Sequence, residues 1–242
     1  MGQEGTSFWA HAARRNPVRR WLRRYEPADI RDRLSDANDG ILTIAGTSLG
    51  LAGAEIGVQT SYTVLVITAA VGTLSTLSVQ LNQEWNGYEQ EQDAVAREER
   101  LLMTDRAGQV QELIEWFEDK GVSPDTARQM SAELSDDEAL DIQLALEYGI
   151  EDPVTPRQVV SGALVAGLTF LLGAALPIAM QYFVPLDFRI WLTMTIAGIS
   201  LTITAIAFSV RGHYRVPFAI VRGLCMGIGM LTLTYYLGDL LM

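Results

Sequence analysis

The side chains in this sequence that could do chemistry are almost all carboxylates. Between Glu84 and Asp152 lie 20 Asp and Glu against 5 Lys and Arg, more than the whole net charge of −11. One cysteine, Cys225, and two histidines, His11 and His213, exclude a thiolate cluster, a histidine metal site and a catalytic triad. Glu84, Glu91, Glu98 and Asp105 recur every seven residues. On one helix the three glutamates share a face about two turns, roughly 10 Å, apart, too wide for one ion to bridge. Any ion site must therefore recruit other helices. Glu112, Glu115 and Glu118 line one side of a following helix. Oxygen ligands of this kind suit Fe2+, Mn2+, Mg2+ or Ca2+ better than Zn2+ or Cu+. The plain alternative is a solvated acidic face. Lys120 is the only lysine among 18 basic residues, a balance that also fits adaptation to high salt.

The rest of the chain is apolar, and it must position those acids. The blocks Ile41–Val58, Tyr62–Leu81, Val159–Val184, Ile190–Val210 and Phe218–Leu237 each approach the ~20 residues that cross a ~30 Å hydrocarbon core as a helix. Five spans are expected, the first interrupted by Glu55 and the second rich in Ser and Thr. Thr68, Thr73, Ser75, Thr76, Ser78 and Gln80 make the second too polar for a helix facing lipid on all sides. Gly46 with Gly50 and Gly223 with Gly227 have the spacing that lets membrane helices approach closely. Eight arginines, Arg14, Arg15, Arg19, Arg20, Arg23, Arg24, Arg31 and Arg33, precede span one, and Arg211 and Arg215 sit between spans four and five. The positive-inside rule then makes the N-terminus and the acidic module cytoplasmic. An ordinary soluble enzyme is excluded, and the acidity argues against a nucleic-acid partner.

Four regions follow in order. Residues 1–34 alternate arginines with Trp9, Trp21, Leu22 and Tyr25, as an amphipathic segment on an anionic leaflet would. Residues 35–83 hold spans one and two, 84–152 the acidic module and 153–242 the last three spans. Ser35–Gly40 carries helix-capping residues ahead of span one. There Asp39 either caps the helix or is a functional ionisable group at the apolar boundary. Span two should run on past Trp85. A helix near Arg106–Asp119 presents Val110, Leu113, Ile114 and Phe117 as an apolar stripe and ends at Lys120-Gly121. Ser123-Pro124 opens a second short helix, and the capping box Ser135–Glu138 a third that stops at Gly149. No cleavable signal or organellar targeting segment is expected, which favours a prokaryotic cell membrane over a vacuole.

This order of parts resembles the vacuolar iron transporter family. Ser35–Ala54, with Asp39-Gly40 and Gly50-Leu51-Ala52-Gly53-Ala54, is similar to its first helix. Gly72-Thr73-Leu74-Ser75 and Ala96-Arg97-Glu98 are similar to its second helix and extension. Val159–Pro177 and Arg222–Gly238 resemble its third and fifth helices, so the likeness covers about residues 30–240. It implies an all-α polytopic membrane protein with five transmembrane helices and a cytoplasmic helical module between helices two and three. It further implies a homodimer that moves Fe2+ or Mn2+ out of the cytosol against protons, with the ion as cargo and no permanently bound cofactor. Asp39 matches the family's membrane aspartate, while its helix-two glutamate and methionine fall at Thr68 and Thr76. Of five module glutamates, Glu98, Glu112 and Glu147 match and Leu101 and Gln109 stand at the other two; the methionine pair falls at Gln143 and Leu144. The resemblance thus assigns Asp39, Thr68 and Thr76 to the path and Glu98, Glu112 and Glu147 to ion capture, to which the acidic face of the module's helix adds Glu115. The alternative is a divergent, non-transporting member whose module senses ions or binds a partner.

Overall fold

The computed structural model describes residues 27–209 and 216–241. The expected amphipathic segment, apart from its last residues, and both Arg211 and Arg215 lie outside them. Among the described residues there is no strand. Eight helices follow in order: α1 Pro27–Gly53, α2 Val58–Thr104, α3 Arg106–Asp119, α4 Pro124–Glu133, α5 Asp136–Gln143, α6 Pro156–Phe183, α7 Leu186–Ser209 and α8 Val216–Leu241. A π-helical turn, Leu144–Tyr148, continues α5. Two compact units result, one from the residues up to Ser78 together with those from Leu164 onward, the other Val79–Ala163.

In the first unit α1 is the central element. Its Ile44 packs with Leu65 and Ala69 of α2 and with Phe170 and Ala174 of α6. One position further round, Ala45 and Leu49 pack with Ala197 of α7 and Leu231 of α8. Contact on two sides needs little side-chain bulk. A Cβ on Gly40 would overlap the Phe170 carbonyl, and one on Gly173 the Ala37 carbonyl, so α1 and α6 touch backbone to backbone. Gly53 and Gly238 do the same between α1 and α8. Close approach of small residues is how helices gain van der Waals contact where lipid offers no hydrophobic drive.

Among the described residues four helices are long and apolar enough to cross a membrane: α2, α6, the Phe188–Ser209 part of α7, and α8. The helix expected as span one is present but does not reach that apolarity. Its neighbours shield it, so it buries Asn38 and Ser48 as well as Ile44, Ala45 and Leu49. Two details differ from the sequence expectation. Ser35–Gly40 is not a cap, because α1 begins eight residues earlier at Pro27. Glu55 does not interrupt a span; it lies in the turn after α1 with φ at 51°, the left-handed region where a helix end reverses.

In the second unit α2 runs on unbroken to Thr104, as the absence of proline before Pro124 and of glycine between Gly87 and Gly108 suggests. Asp105 then ends the seven-residue series by capping α3, its side chain accepting from the Gly108 N–H at 2.9 Å. Ser123 caps α4, and Ser135 with Glu138 forms the reciprocal capping box of α5. The two bonds from the Ser135 backbone and hydroxyl hold the Glu138 carboxyl below its ordinary range. Leu102, Leu113, Leu134 and Ala139 form the core of these short helices. The buried face of α3 is Gln109, Leu113 and Phe117, which puts a glutamine where the apolar stripe leads.

Candidate functional site

The seven-residue series on α2 does share one face, and each glutamate there meets the returning chain or its own helix. Glu84 accepts from Gln80 Nε2 at 2.9 Å and lies against Gly162. Glu91 accepts from the Val154 N–H at 2.7 Å. Glu98 accepts from the Tyr148 hydroxyl at 3.2 Å. The first two are ordinary tethers. Glu98 is different, for it is 0% exposed and its Oε2 has no partner among the described residues.

An uncompensated buried carboxylate costs several kcal/mol. One hydrogen bond to a charged group returns about 1.5–3 kcal/mol, so Tyr148 alone leaves a deficit. Two glutamines of the same unit are short of partners as well. Gln143 Nε2 donates to the Gln109 carbonyl at 3.4 Å, and Gln109 Nε2 donates to Glu112 Oε2 at 3.4 Å. Each amide donates one such bond, while Gln109 Oε1 and Gln143 Oε1 are buried and unpartnered among the described residues. Three buried oxygens, Glu98 Oε2, Gln109 Oε1 and Gln143 Oε1, therefore have acceptor capacity and nothing to accept. Oxygen donors of this hardness suit an Fe2+, Mn2+, Mg2+ or Ca2+ ion.

Local sequence explains the placement. Gln143 ends α5, and the π-helical turn after it widens the helix by one residue, a form frequent at functional sites. That turn carries Glu147 and Tyr148 and closes on Gly149 at φ 69°. Tyr148 and Gln143 thus descend from one short element onto α2 and α3.

The other expected ligands are less gathered. Glu112 and Glu115 are exposed on α3, Glu115 accepting from Gln111 Nε2 at 3.0 Å, and Glu147 is exposed in the π-helical turn. Among the described residues no three Asp, Glu, His or Cys side chains lie close enough to hold an ion by themselves. Leu101 is 40% exposed, whereas Leu144 is buried.

In the first unit Asp39 sits between two buried neighbours. Asn38 Oδ1 accepts from Ser200 Oγ at 2.8 Å, and Gly40 is pressed against α6. Asp39 itself is exposed and has no hydrogen bond or ion pair among the described residues, so it does not serve as a cap. Thr68 and Thr76 are half-buried on α2, one turn either side of Gly72, which packs on Phe170. No hydrogen bond joins either threonine to Asp39.

Sequence reasoning missed Tyr148, Gln143 as an oxygen donor, and a polar group at the α6–α7 end. There Gln181 bonds Ser48 Oγ and accepts from Arg189 Nη1 at 3.3 Å. A glutamine inside an otherwise apolar span was a signal available for the last of these.

Comparison with known proteins agrees with this layout. A protein named vacuolar iron transporter, from Acanthamoeba castellanii, is 25% identical over 217 residues, covering 84% of this chain and 78% of the relative. The model of the VIT family matches residues 30–239, which takes in both units. On that match, and with its run of membrane-length helices, the chain is an integral membrane protein belonging to the VIT family.

Proposed function

We propose that this protein moves a divalent metal ion, Fe2+ or Mn2+, out of the cytosol across the membrane in which α1, α2, α6, α7 and α8 form a five-helix bundle. The observation that carries the reading is the fully buried Glu98, whose Oε2 stands uncommitted in the same helical unit that also buries the uncommitted oxygens of Gln109 and Gln143. The family, and the printed name of the relative, support the metal cargo. The acidic module captures the ion on the cytoplasmic side through Glu98, Glu112 and the glutamine oxygens, with Glu115 and Glu147 drawing it in.

Asp39 is the membrane ligand or proton carrier. A carboxylate on a central membrane helix, exposed in one chain and without a partner, is costly unless something covers it. A second copy covering that face would make the working unit a homodimer and place two Asp39 carboxylates along one path. Thr68 and Thr76 add neutral hydroxyls to it, and proton antiport supplies the counter-charge. Uptake of Fe2+ and Mn2+ into proteoliposomes tests this. Asp39→Ala and Glu98→Gln should each slow uptake at least tenfold, and equal rates in Asp39→Ala and wild type would remove Asp39 from the mechanism.

One observation favours a second reading. No carboxylate triple is assembled among the described residues, as a module that binds ions without passing them on would allow. Metal binding with no uptake in the same proteoliposomes would select it.

A further inference from the structure

The end of the bundle where α1 turns into α2 and α6 into α7 holds a cavity of about 370 Å³, lined by Ser48, Glu55, Ser61, Gln181 and Arg189 with apolar neighbours. The transport reading uses none of these residues. Pockets of about 300–1,000 Å³ are the size that takes small ligands, and this one has a built polar wall. Ser48 is 4% and Gln181 9% exposed. Gln181 Nε2 donates to Ser48 Oγ, and its Oε1 accepts from Arg189 Nη1 at 3.3 Å. Arg189 Nε donates to the Val184 carbonyl at 2.6 Å.

The guanidinium is therefore aimed by two neutral acceptors and paired with no carboxylate among the described residues. Of its five N–H groups two are committed. No described residue neutralises its charge, and a planar fork of free donors is the geometry that matches a phosphate. Glu55 lines the same cavity, held at φ 51°, and it too has no ion pair among the described residues. An unpaired cation and an unpaired anion in one cavity suit a ligand that carries both charges.

Aromatic side chains cluster at the same level. Tyr62 and Tyr182 lie 6.1 Å apart and Tyr182 and Phe183 5.1 Å apart by ring centroids. Tyr182, Phe183, Phe188 and Trp191 are all exposed. Exposed aromatics at the ends of membrane helices mark the headgroup layer.

We infer that this cavity binds the headgroup of a zwitterionic phospholipid, with the Arg189 fork on the phosphate oxygens and Glu55 on the ammonium. The bound lipid ties the ends of α1, α6 and α7 together. Metal capture is not involved, so this inference and the transport reading fail separately.

The test uses full-length protein in detergent, delipidated and then supplied with phosphatidylethanolamine, phosphatidylglycerol, a phosphate-free glycolipid or millimolar inorganic phosphate. Retained lipid is read by native mass spectrometry and stability by thermal melting. Wild type should retain phosphatidylethanolamine and melt higher with it. Arg189→Gln should weaken retention about tenfold and Arg189→Lys by less, since the charge stays and the fork is lost. Glu55→Gln should abolish the preference for phosphatidylethanolamine over phosphatidylglycerol. Equal retention by wild type and Arg189→Gln overturns the inference, as does stabilisation by inorganic phosphate alone or by the glycolipid equally. Should Arg189→Gln not fold, unchanged retention in Arg189→Lys together with unchanged preference in Glu55→Gln overturns it as well.

Discussion

The bundle and the acidic module treat buried polar groups in opposite ways. In the bundle Asn38 is bonded by Ser200, and Ser48 by Gln181, which in turn is bonded by Arg189; the hydroxyls of Ser61 and Ser209 bond backbone carbonyls. The module instead leaves Glu98 Oε2, Gln109 Oε1, Gln143 Oε1 and the Ser131 hydroxyl without partners, against Arg31 Nε alone in the bundle. Native proteins pair nearly all such atoms. Pairing in the bundle therefore reads as structure, and its lack in the module reads as a site kept open for a ligand.

The largest effect that could break this contrast is steric. Gly40→Leu forces a side chain into the α6 backbone, where no rotamer change relieves the overlap. We expect loss of several kcal/mol, on the order of the large core defects, seen as no monodisperse protein. By contrast Gly87, with nothing within 4 Å of a Cβ, lies in α2 and should gain from Gly87→Ala about 0.5–1 kcal/mol in thermal melts. Similar behaviour of both variants would mean that the bundle is not as tightly apposed as described.

Next in size is Glu98→Gln in the full chain. Removing a buried charge short of partners should raise the melting stability of metal-free protein by about 1–3 kcal/mol while weakening Mn2+ binding at least tenfold. Loss of stability instead would show that Glu98 is already satisfied by structure. Tyr148→Phe should act in the same place more weakly. It removes one hydrogen bond to a charged group, costing about 1.5–3 kcal/mol, and leaves Mn2+ binding reduced but measurable by calorimetry.

The smallest effect lies in the capping box. The Glu138 carboxyl is held below its usual range by Ser135, so its contribution is fully present above the unfolded-state value and is lost as pH falls through the folded-state value. Wild type should accordingly melt higher than Glu138→Gln at neutral pH, with the gap closing under acid conditions. A gap that persists in acid would mean that the charge of Glu138 contributes nothing.

How much of this the sequence disclosed depends on whether the signal was local. The ends of α3, α4 and α5 were legible because Ser123-Pro124, Ser135–Glu138 and Gly149 act within a few residues of themselves. The start of α1 was not. Ser35, Asp36 and Asn38 look like caps, yet α6 packs on Ala37 and Gly40 and α7 bonds Asn38, and the helix starts back at Pro27. For the site, the heptad spacing found the face of α2 that holds Glu98. It could not show that Tyr148 returns to it, because that contact spans 50 residues and depends on a π-helical turn. Gln109 was legible as a departure from the family pattern, and only its burial reveals it as an oxygen donor.

Anomalous scattering from crystals of the full-length protein soaked in Mn2+ or Fe2+ tests the central claim most directly. The account predicts a peak within coordination distance of Glu98, with Gln109 or Gln143 oxygen among the ligands. Peaks confined to the exposed acidic surface, with none at Glu98 under saturating metal, would contradict it.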